Sequence, residues 1–366
     1  MPPSRLRVAM VCPRFAPSTG GTETHVAELS KRLVDRDIDV EILTTDLDGA
    51  LAAEGVAGRV PVHRRRVRPL GGDHFFAPGI ARMIQRTRYD LVHMQGVHSL
   101  LAPLTMAAAR RSRLPYVVTF HTGGHHSATR RRLRGLQWRA LAPMLRGASA
   151  LIAVSQFERE LFAVAIGEST DRIHLIPNGA ELPSVGPEVV EDPNLILSVG
   201  RLEWYKGHHR AIAAMAPLSR LRPLARLIIL GDGPERVRLL ELAERLGVGD
   251  RVSIESVPPA DRAAMATRLS SAGMVVLLSE YEAHPIAVTE ALGRGRRVLV
   301  ATTSGLREIV AAGRAAGISI DAEPEEIASE MHRVLGGPHP PAIMNLPSWD
   351  DCADAVAETY RSLVSG

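Results

Sequence analysis

The 366-residue chain is long enough for two α/β domains, and its 45% hydrophobic content with a mean hydropathy of +0.02 supplies a large core, which argues against extended disorder. The formal net charge is only +4 although the sequence pI is about 9.4, a balance compatible with a phosphate-bearing small molecule, an anionic membrane surface or plain solubility. Aromatic residues make up 4%, too few for a base-stacking platform on nucleic acid, and no run approaches the roughly 18 apolar residues of a membrane span.

Along the chain, short β-branched runs alternate with helical patterns, which predicts parallel sheets covered by helices. The N-terminal Arg5 and Arg7 precede an apolar run that Pro13 cuts short, too brief for a signal-peptide core, so it reads as a first strand, Arg7–Val11. Further strands are expected at Val40–Thr44, Pro61–Val67, Leu91–Met94, Tyr116–Phe120, Ala150–Val154 and Ile173–Ile176. Helices are expected at Thr22–Val34, Ser99–Arg110, Arg130–Arg146 and Gln156–Val164. A second series of strands begins at Leu195–Val199 and continues with Arg226–Leu230, Val252–Glu255, Met274–Leu278 and Val298–Val300. Between the halves, Leu182–Asn194 carries prolines, a glycine and acidic residues and has linker composition. The expected domains are therefore 1–185 and 194–345, followed by a C-terminal helix, 346–366, with Ser348 as N-cap and Asp351 completing a capping box.

Ligands of open parallel α/β sheets bind at the carboxyl ends of the strands, and the chemistry-bearing motifs fall on such loops. Gly20-Gly21 lies between the first strand and first helix, where paired glycines admit a close ligand and helix amides face an anion, although a tight turn reads the same way. Gly200-Arg201 and Lys206-Gly207 follow the first strand of the second half, and two converging cations suit a diphosphate. Only two of the 44 basic residues are lysines, Lys31 and Lys206, so a lysine kept in a glycine-flanked loop points to a chemical role. After the strand ending at Leu278 comes Glu282, then Pro285 suited to the first helical position, the amides of Ile286 and Ala287 aimed at a phosphate, and Glu290 on an otherwise apolar helix. In Thr119-Phe120-His121, His121 ends a strand and is read as a hydrogen-bonding partner of a sugar, with His125 and His126 on a following loop. No carboxylate or cysteine completes a metal set with these histidines, and no metal is expected. Pro177-Asn178-Gly179 and Gly231-Asp232-Gly233-Pro234 are first of all turn chemistry, placed after strands.

Taken in order, Gly-Gly, Thr-Phe-His, Pro-Asn-Gly, Gly-Arg-x4-Lys-Gly, Gly-Asp-Gly-Pro and Glu-x7-Glu resemble glycosyltransferase family 4, from about Arg7 to Val310. The resemblance implies an α/β GT-B architecture, two Rossmann-like parallel-sheet domains facing each other across a cleft. It also implies retaining transfer from a nucleotide-diphosphate sugar. It implies that Arg201 and Lys206 hold the donor diphosphate, that Glu290 accepts from the ribose hydroxyls, and that Glu282 and His121 lie near the transferred sugar. Gly20 and Gly21 lie near the diphosphate and acceptor, and Asn178, Gly200, Gly231, Asp232, His284, Ile286 and Ala287 join the donor-binding set. Such enzymes are usually metal-independent and use no cofactor beyond the nucleotide-sugar substrate. The family pattern after the first glutamate is Gly or Pro, then Phe-Gly. Here Ala283, His284 and Pro285 stand instead, removing one backbone donor and adding a titratable ring.

Other readings are a GT-B sugar-nucleotide epimerase, a phosphorylase, or a non-catalytic nucleotide-sugar-binding protein. No helix-turn-helix or basic-region pattern supports DNA binding. The acceptor is left open as a small molecule, glycan or lipid. Two cysteines, Cys12 and Cys352, make no disulfide framework and suit a reducing cytoplasm. The Arg130–Arg139 segment reads as an amphipathic helix with Leu133, Leu136, Ala140 and Met144 on one face. It is either a solvated face or a contact with an anionic partner, the inner membrane surface or an acidic acceptor.

Overall fold

The computed structural model describes residues 5–18, 20–68, 75–121, 128–258, 261–342 and 345–364, without the side chains of 128–134. Contacts divide the chain into two units, with breaks between Gly179 and Ala180 and between Leu346 and Pro347.

The first unit contains β1 (Leu6–Cys12), α1 (Gly21–Val34), β2 (Ile38–Asp46), β3 (Glu54–Ala57), β4 (Val60–Arg66), α2 (Pro78–Arg86), β5 (Leu91–Gln95), α3 (Leu101–Arg111), β6 (Tyr116–Thr119), α4 (Ala128–Arg146), β7 (Ala150–Ala153), α5 (Gln156–Ile166) and β8 (Ile173–Leu175). Its sheet has the order β3-β4-β2-β1-β5-β6-β7-β8. Central strands are buried on both faces and hence continuously apolar: Val8 of β1 pairs with Val40 of β2 on one side and Leu91 of β5 on the other. Strand β3 departs from the expected all-parallel sheet. It pairs antiparallel with β4 at the edge, and its Glu-Gly-Val-Ala run, half exposed, carries no apolar signal. Helix α2 was also absent from the sequence reading. On one sheet face Phe120 stacks on Phe162 with centroids 3.7 Å apart, amid Val92, Met94, Val118 and Leu145.

The second unit contains β9 (Asp192–Val199), α6 (His208–Leu221), β10 (Arg226–Leu230), α7 (Arg236–Arg245), β11 (Val252–Glu255), α8 (Arg262–Ser271), β12 (Ala272–Leu277), α9 (Ile286–Gly293), β13 (Arg297–Ala301), α10 (Leu306–Ala311), β14 (Ala316–Ile318) and α11 (Pro324–Gly336). Its sheet order is β11-β10-β9-β12-β13-β14, with every described pairing parallel. Alternate side chains serve opposite faces: Ile196, Met274 and Val276 join one core cluster, and Leu197, Val275 and Leu277 the other. The short β14 was not expected from its Ala-Gly-Ile run.

Residues 180–191, expected to divide between the first domain and the linker, belong to the second unit. The reason is charge pairing: Glu191 binds Arg296 and Arg297 at the start of β13, and Arg294 reaches the Pro183 carbonyl at 2.5 Å. The last helix, α12 (Trp349–Val364), lies with the first unit, where Arg36 after α1 holds Asp354 at 2.6 Å and Asp350 at 3.0 Å. Its start is a capping box: the Asp351 amide donates to the Ser348 hydroxyl at 2.9 Å, and the Ser348 amide to the Asp351 carboxylate at 2.8 Å. Ser348→Ala is expected to cost about 1 kcal/mol, seen as a lower denaturant midpoint at unchanged m-value.

Helix α4 corrects the expected amphipathic face. Trp138, Leu141, Ala142 and Leu145 face the core and Met144, of the expected face, packs partly buried against it, whereas Leu136 and Ala140 are exposed, and the Leu133 side chain lies outside the described residues. Burying Trp138 against Phe162, centroids 5.0 Å apart, outweighs burying Leu136 and Ala140 and sets the rotation. None of the described helices is long and apolar enough to cross a membrane.

Candidate functional site

In the second unit the loops after β9, β10 and β12 carry the charged residues singled out by sequence. Backbone bonds lace the first two together and tie the second to the end of β11. The Gly200 amide donates to the Leu230 carbonyl at 3.0 Å, the Leu202 amide to the Asp232 carbonyl at 2.9 Å, and the Gly231 amide to the Glu255 carbonyl at 2.8 Å. A Cβ on Gly231 would collide with the Gly200 carbonyl. Gly207 is equally constrained: its φ is +74°, and a Cβ would run into the Leu278 carbonyl. Glycine there lets the loop bearing Lys206 press against the end of β12.

The Lys206 ammonium donates to Glu282 Oε1 at 2.6 Å, and the Ser279 hydroxyl donates to the same oxygen at 2.8 Å. Burial alone would lower the Lys206 pKa, but the adjacent Glu282 carboxylate more than reverses this and raises it. Lys206 is thus a permanent cation. The loop after β13 holds Glu282 from behind. The Glu282 amide donates to the Ser304 hydroxyl at 2.7 Å, the Gly305 amide to the Glu282 carbonyl at 2.9 Å, and the Thr303 hydroxyl to the Ser279 carbonyl at 2.8 Å. Ser304 sits at φ +39°, a conformation maintained by these contacts.

Arg201 and Lys206 both flank Tyr205: Arg201 reaches its hydroxyl at 3.4 Å and the ammonium lies 5.4 Å from its ring centroid. His208 fixes the Arg201 backbone. Its Nε2–H donates to the Arg201 carbonyl at 3.1 Å, and its Nδ1 accepts from the Ser198 hydroxyl at 2.8 Å. Burial lowers His208 to about 4, so it stays neutral and keeps this tautomer.

Helix α9 begins one residue later than the sequence suggested, with Pro285 as its N-cap and Ile286 and Ala287 in the first turn. The first bonds within it come from the Val288 and Thr289 amides to the Pro285 carbonyl, so those of Ile286 and Ala287 precede the intrahelical ladder. Glu290 is 2% exposed and its carboxylate is paired with Arg262 at the start of α8. A carboxylate on so apolar a helix is expected to face a polar ligand, and its partner in the structure, Arg262, carries no signal in the sequence. Burial pushes His284 down to about 4, so the ring that replaces the family's usual residue is uncharged at neutral pH. Asp232 is exposed and its carboxylate caps the Gly233 amide at 2.8 Å, a turn function.

The first unit gathers the other named residues. Gly20 is the N-cap of α1 and Gly21 its first residue. His121 follows β6 at φ +45°, and its Nε2 lies 2.7 Å from Gln95 Oε1. Asn178 is buried, with Oδ1 2.7 Å from His25 Nδ1, and the His25 ring meets His121 edge-on at 4.5 Å. His125 and His126 lie outside the described residues. Among the described residues no cluster of three or more His, Cys, Asp or Glu could hold a metal ion.

Two Rossmann-like units with cations and carboxylates on loops at strand carboxyl ends define a GT-B glycosyltransferase. Residues 19–182 match the family described as Glycosyltransferase Family 4, and residues 185–345 match Glycosyl transferases group 1. Together these cover most of the chain, and the protein belongs to glycosyltransferase family 4. It is 28% identical over 394 aligned residues to a D-inositol 3-phosphate glycosyltransferase of Nocardiopsis dassonvillei, covering 94% of this chain and 90% of that protein. Its fold is similar to that of sucrose-phosphate synthase from Thermosynechococcus elongatus, with TM-score 0.77 and 19% identity over 99% of this chain and 100% of that one. It is also similar to Anabaena HepE in complex with UDP-glucose, with TM-score 0.71 and 20% identity over 98% and 97%.

Proposed function

We propose that the protein transfers a sugar from a nucleotide-diphosphate donor with retention of anomeric configuration and without a metal or other cofactor. The observation that carries this reading is the Lys206–Glu282–Ser279 cluster beside Arg201, on loops after β9 and β12 of the second unit. A fixed ammonium and a guanidinium neutralise the charge that grows on the β-phosphate as the sugar leaves, which is the work a divalent cation would otherwise do. Lys206 holds the Glu282 carboxylate, and a diphosphate offers it oxygens of like charge. The amides of Ile286 and Ala287 supply further donors for phosphate, and Glu290 accepts from the ribose. Glu282 contacts the sugar, and the first unit, which carries His121, receives the acceptor hydroxyl. Anabaena HepE, whose fold is similar, has been crystallised with UDP-glucose, which supports a donor of this class. Two buried cysteine thiols fit work in a reducing cytoplasm.

Thermal shift against UDP, GDP, ADP and dTDP tests the donor class, with at least one expected to raise Tm and the best of them naming the base. With the matching sugar nucleotide, turnover is expected to persist in EDTA, and NMR of the product is expected to show the donor's anomeric configuration. Stabilisation by none of the four overturns the donor reading. Activity lost to EDTA and restored by magnesium overturns metal independence, and an inverted anomer overturns retention.

A further inference from the structure

Strand β5 is buried along its whole length, yet it carries His93 and Gln95, each 0% exposed. Polar groups so placed are costly unless every one is matched, so their partners define a directed chain. The Gln95 amide nitrogen lies 3.0 Å from the Met10 sulfur and 3.2 Å from His93 Nε2, while its oxygen lies 2.7 Å from His121 Nε2. A thioether can only accept, so the nitrogen end of the amide belongs beside Met10 and the oxygen end beside His121. An amide oxygen in turn can only accept, so His121 Nε2 must carry a proton.

His93 holds the arrangement from the other side. Its Nε2 lies 2.7 Å from the Thr119 hydroxyl and 3.2 Å from the Gln95 amide nitrogen, two donors that share its one lone pair, and its Nδ1 lies 2.5 Å from the Tyr360 hydroxyl. Burial drives the His93 pKa well below its usual value, so it carries one proton, and the Gln95 N–H group held beside Nε2 by the Met10 sulfur puts that proton on Nδ1. Reversing the Gln95 amide would require a donor at His93 Nε2 and would set an oxygen against the Met10 sulfur. The His121 ring is braced edge-on by His25, itself bonded to Asn178 and packed 5.9 Å from Trp349.

We propose that Gln95 is a positioning residue that locks His121 in its Nε2–H tautomer, so that Nδ1 is the hydrogen-bond acceptor of the ring. His121 then recognises a hydroxyl or N–H of the ligand. The identity of that ligand as a sugar rests on the donor reading above, whereas the tautomer does not.

The test is ¹⁵N-edited NMR of the histidine rings, with the His121 signals identified by their loss in His121→Asn. The native protein is expected to give the Nε2–H pattern at His121. Gln95→Met, similar in shape but without the acceptor, is expected to give a mixture of tautomers, while Gln95→Glu, which keeps an acceptor toward His121, retains Nε2–H. Met10→Leu, which removes the orienting sulfur, is expected to introduce a second His121 population and serves if Gln95→Met does not fold. With the donor found by thermal shift, Gln95→Met is expected to lower kcat about tenfold to a hundredfold, the scale of a misplaced positioning group, with nucleoside diphosphate affinity unchanged. An Nδ1–H pattern in the native protein overturns the proposal, as does an unaltered His121 pattern in both Gln95→Met and Met10→Leu. Failure of every nucleoside diphosphate to bind overturns the donor reading and leaves the tautomer result standing.

Discussion

Lys206→Ala is expected to lower turnover by about 10²–10³, the usual consequence of removing one fixed stabiliser of a developing oxyanion. The loss should fall on kcat, because charge on the β-phosphate grows as the sugar departs and is greater in the transition state than in the bound donor. The variant also removes the ammonium 2.6 Å from Glu282, leaving a carboxylate that is 8% exposed with the Ser279 hydroxyl beside it. Stability should fall too, by less than the ~3–5 kcal/mol of a fully buried pair, since the Lys206 side chain keeps some contact with water. Lys206→Ala combined with Glu282→Gln separates the two effects: stability is expected to recover and turnover is not. Lys206→Arg is expected to be impaired as well, because a planar fork replaces a compact ammonium in a loop pressed onto Leu278 by Gly207. Near-normal turnover of a folded Lys206→Ala would place the diphosphate elsewhere.

Glu290→Ala is expected to weaken nucleoside diphosphate binding by on the order of 1.5–3 kcal/mol, the value of hydrogen bonds to a charged acceptor. Calorimetric titration with the diphosphate identified by thermal shift measures this directly. The ion pair with Arg262 adds a structural consequence: Arg262, whose side chain is 18% exposed, loses this carboxylate. Glu290→Gln, nearly the same shape, is expected to lose most of the affinity with less of the stability. Unchanged affinity in both variants would assign Glu290 a purely structural role as the partner of Arg262.

The elements that the sequence announced are those with a strong local signal. The buried strands β1, β9 and β10 are continuous apolar runs, and α12 announces itself through Ser348 and Asp351. The elements it concealed lack such a signal: β3 is a half-exposed edge strand, and α2 opens on Pro78-Gly79, a dipeptide that also makes turns. The rotation of α4 is not legible from periodicity, which does not weigh Trp138 against Leu136.

By itself the sequence determined two Rossmann-like halves and the charged loops at their strand ends, because glycines, cations and carboxylates at these spacings reflect local backbone requirements. It placed Arg201, Lys206 and Glu282 on those loops, and Glu290 on the helix that follows, without their partners. Only the tertiary structure decided that Lys206 meets Glu282 across 76 residues of chain, that Arg262 covers Glu290, and that His208 rather than another residue anchors Arg201. It alone revealed the chain from Tyr360 through His93 and Gln95 to His121, whose ends are separated by 267 positions at the Tyr360–His93 step. The physical reason is that burial makes each such polar contact obligatory, but burial is a property of packed elements and leaves no periodic trace in the residues that supply it.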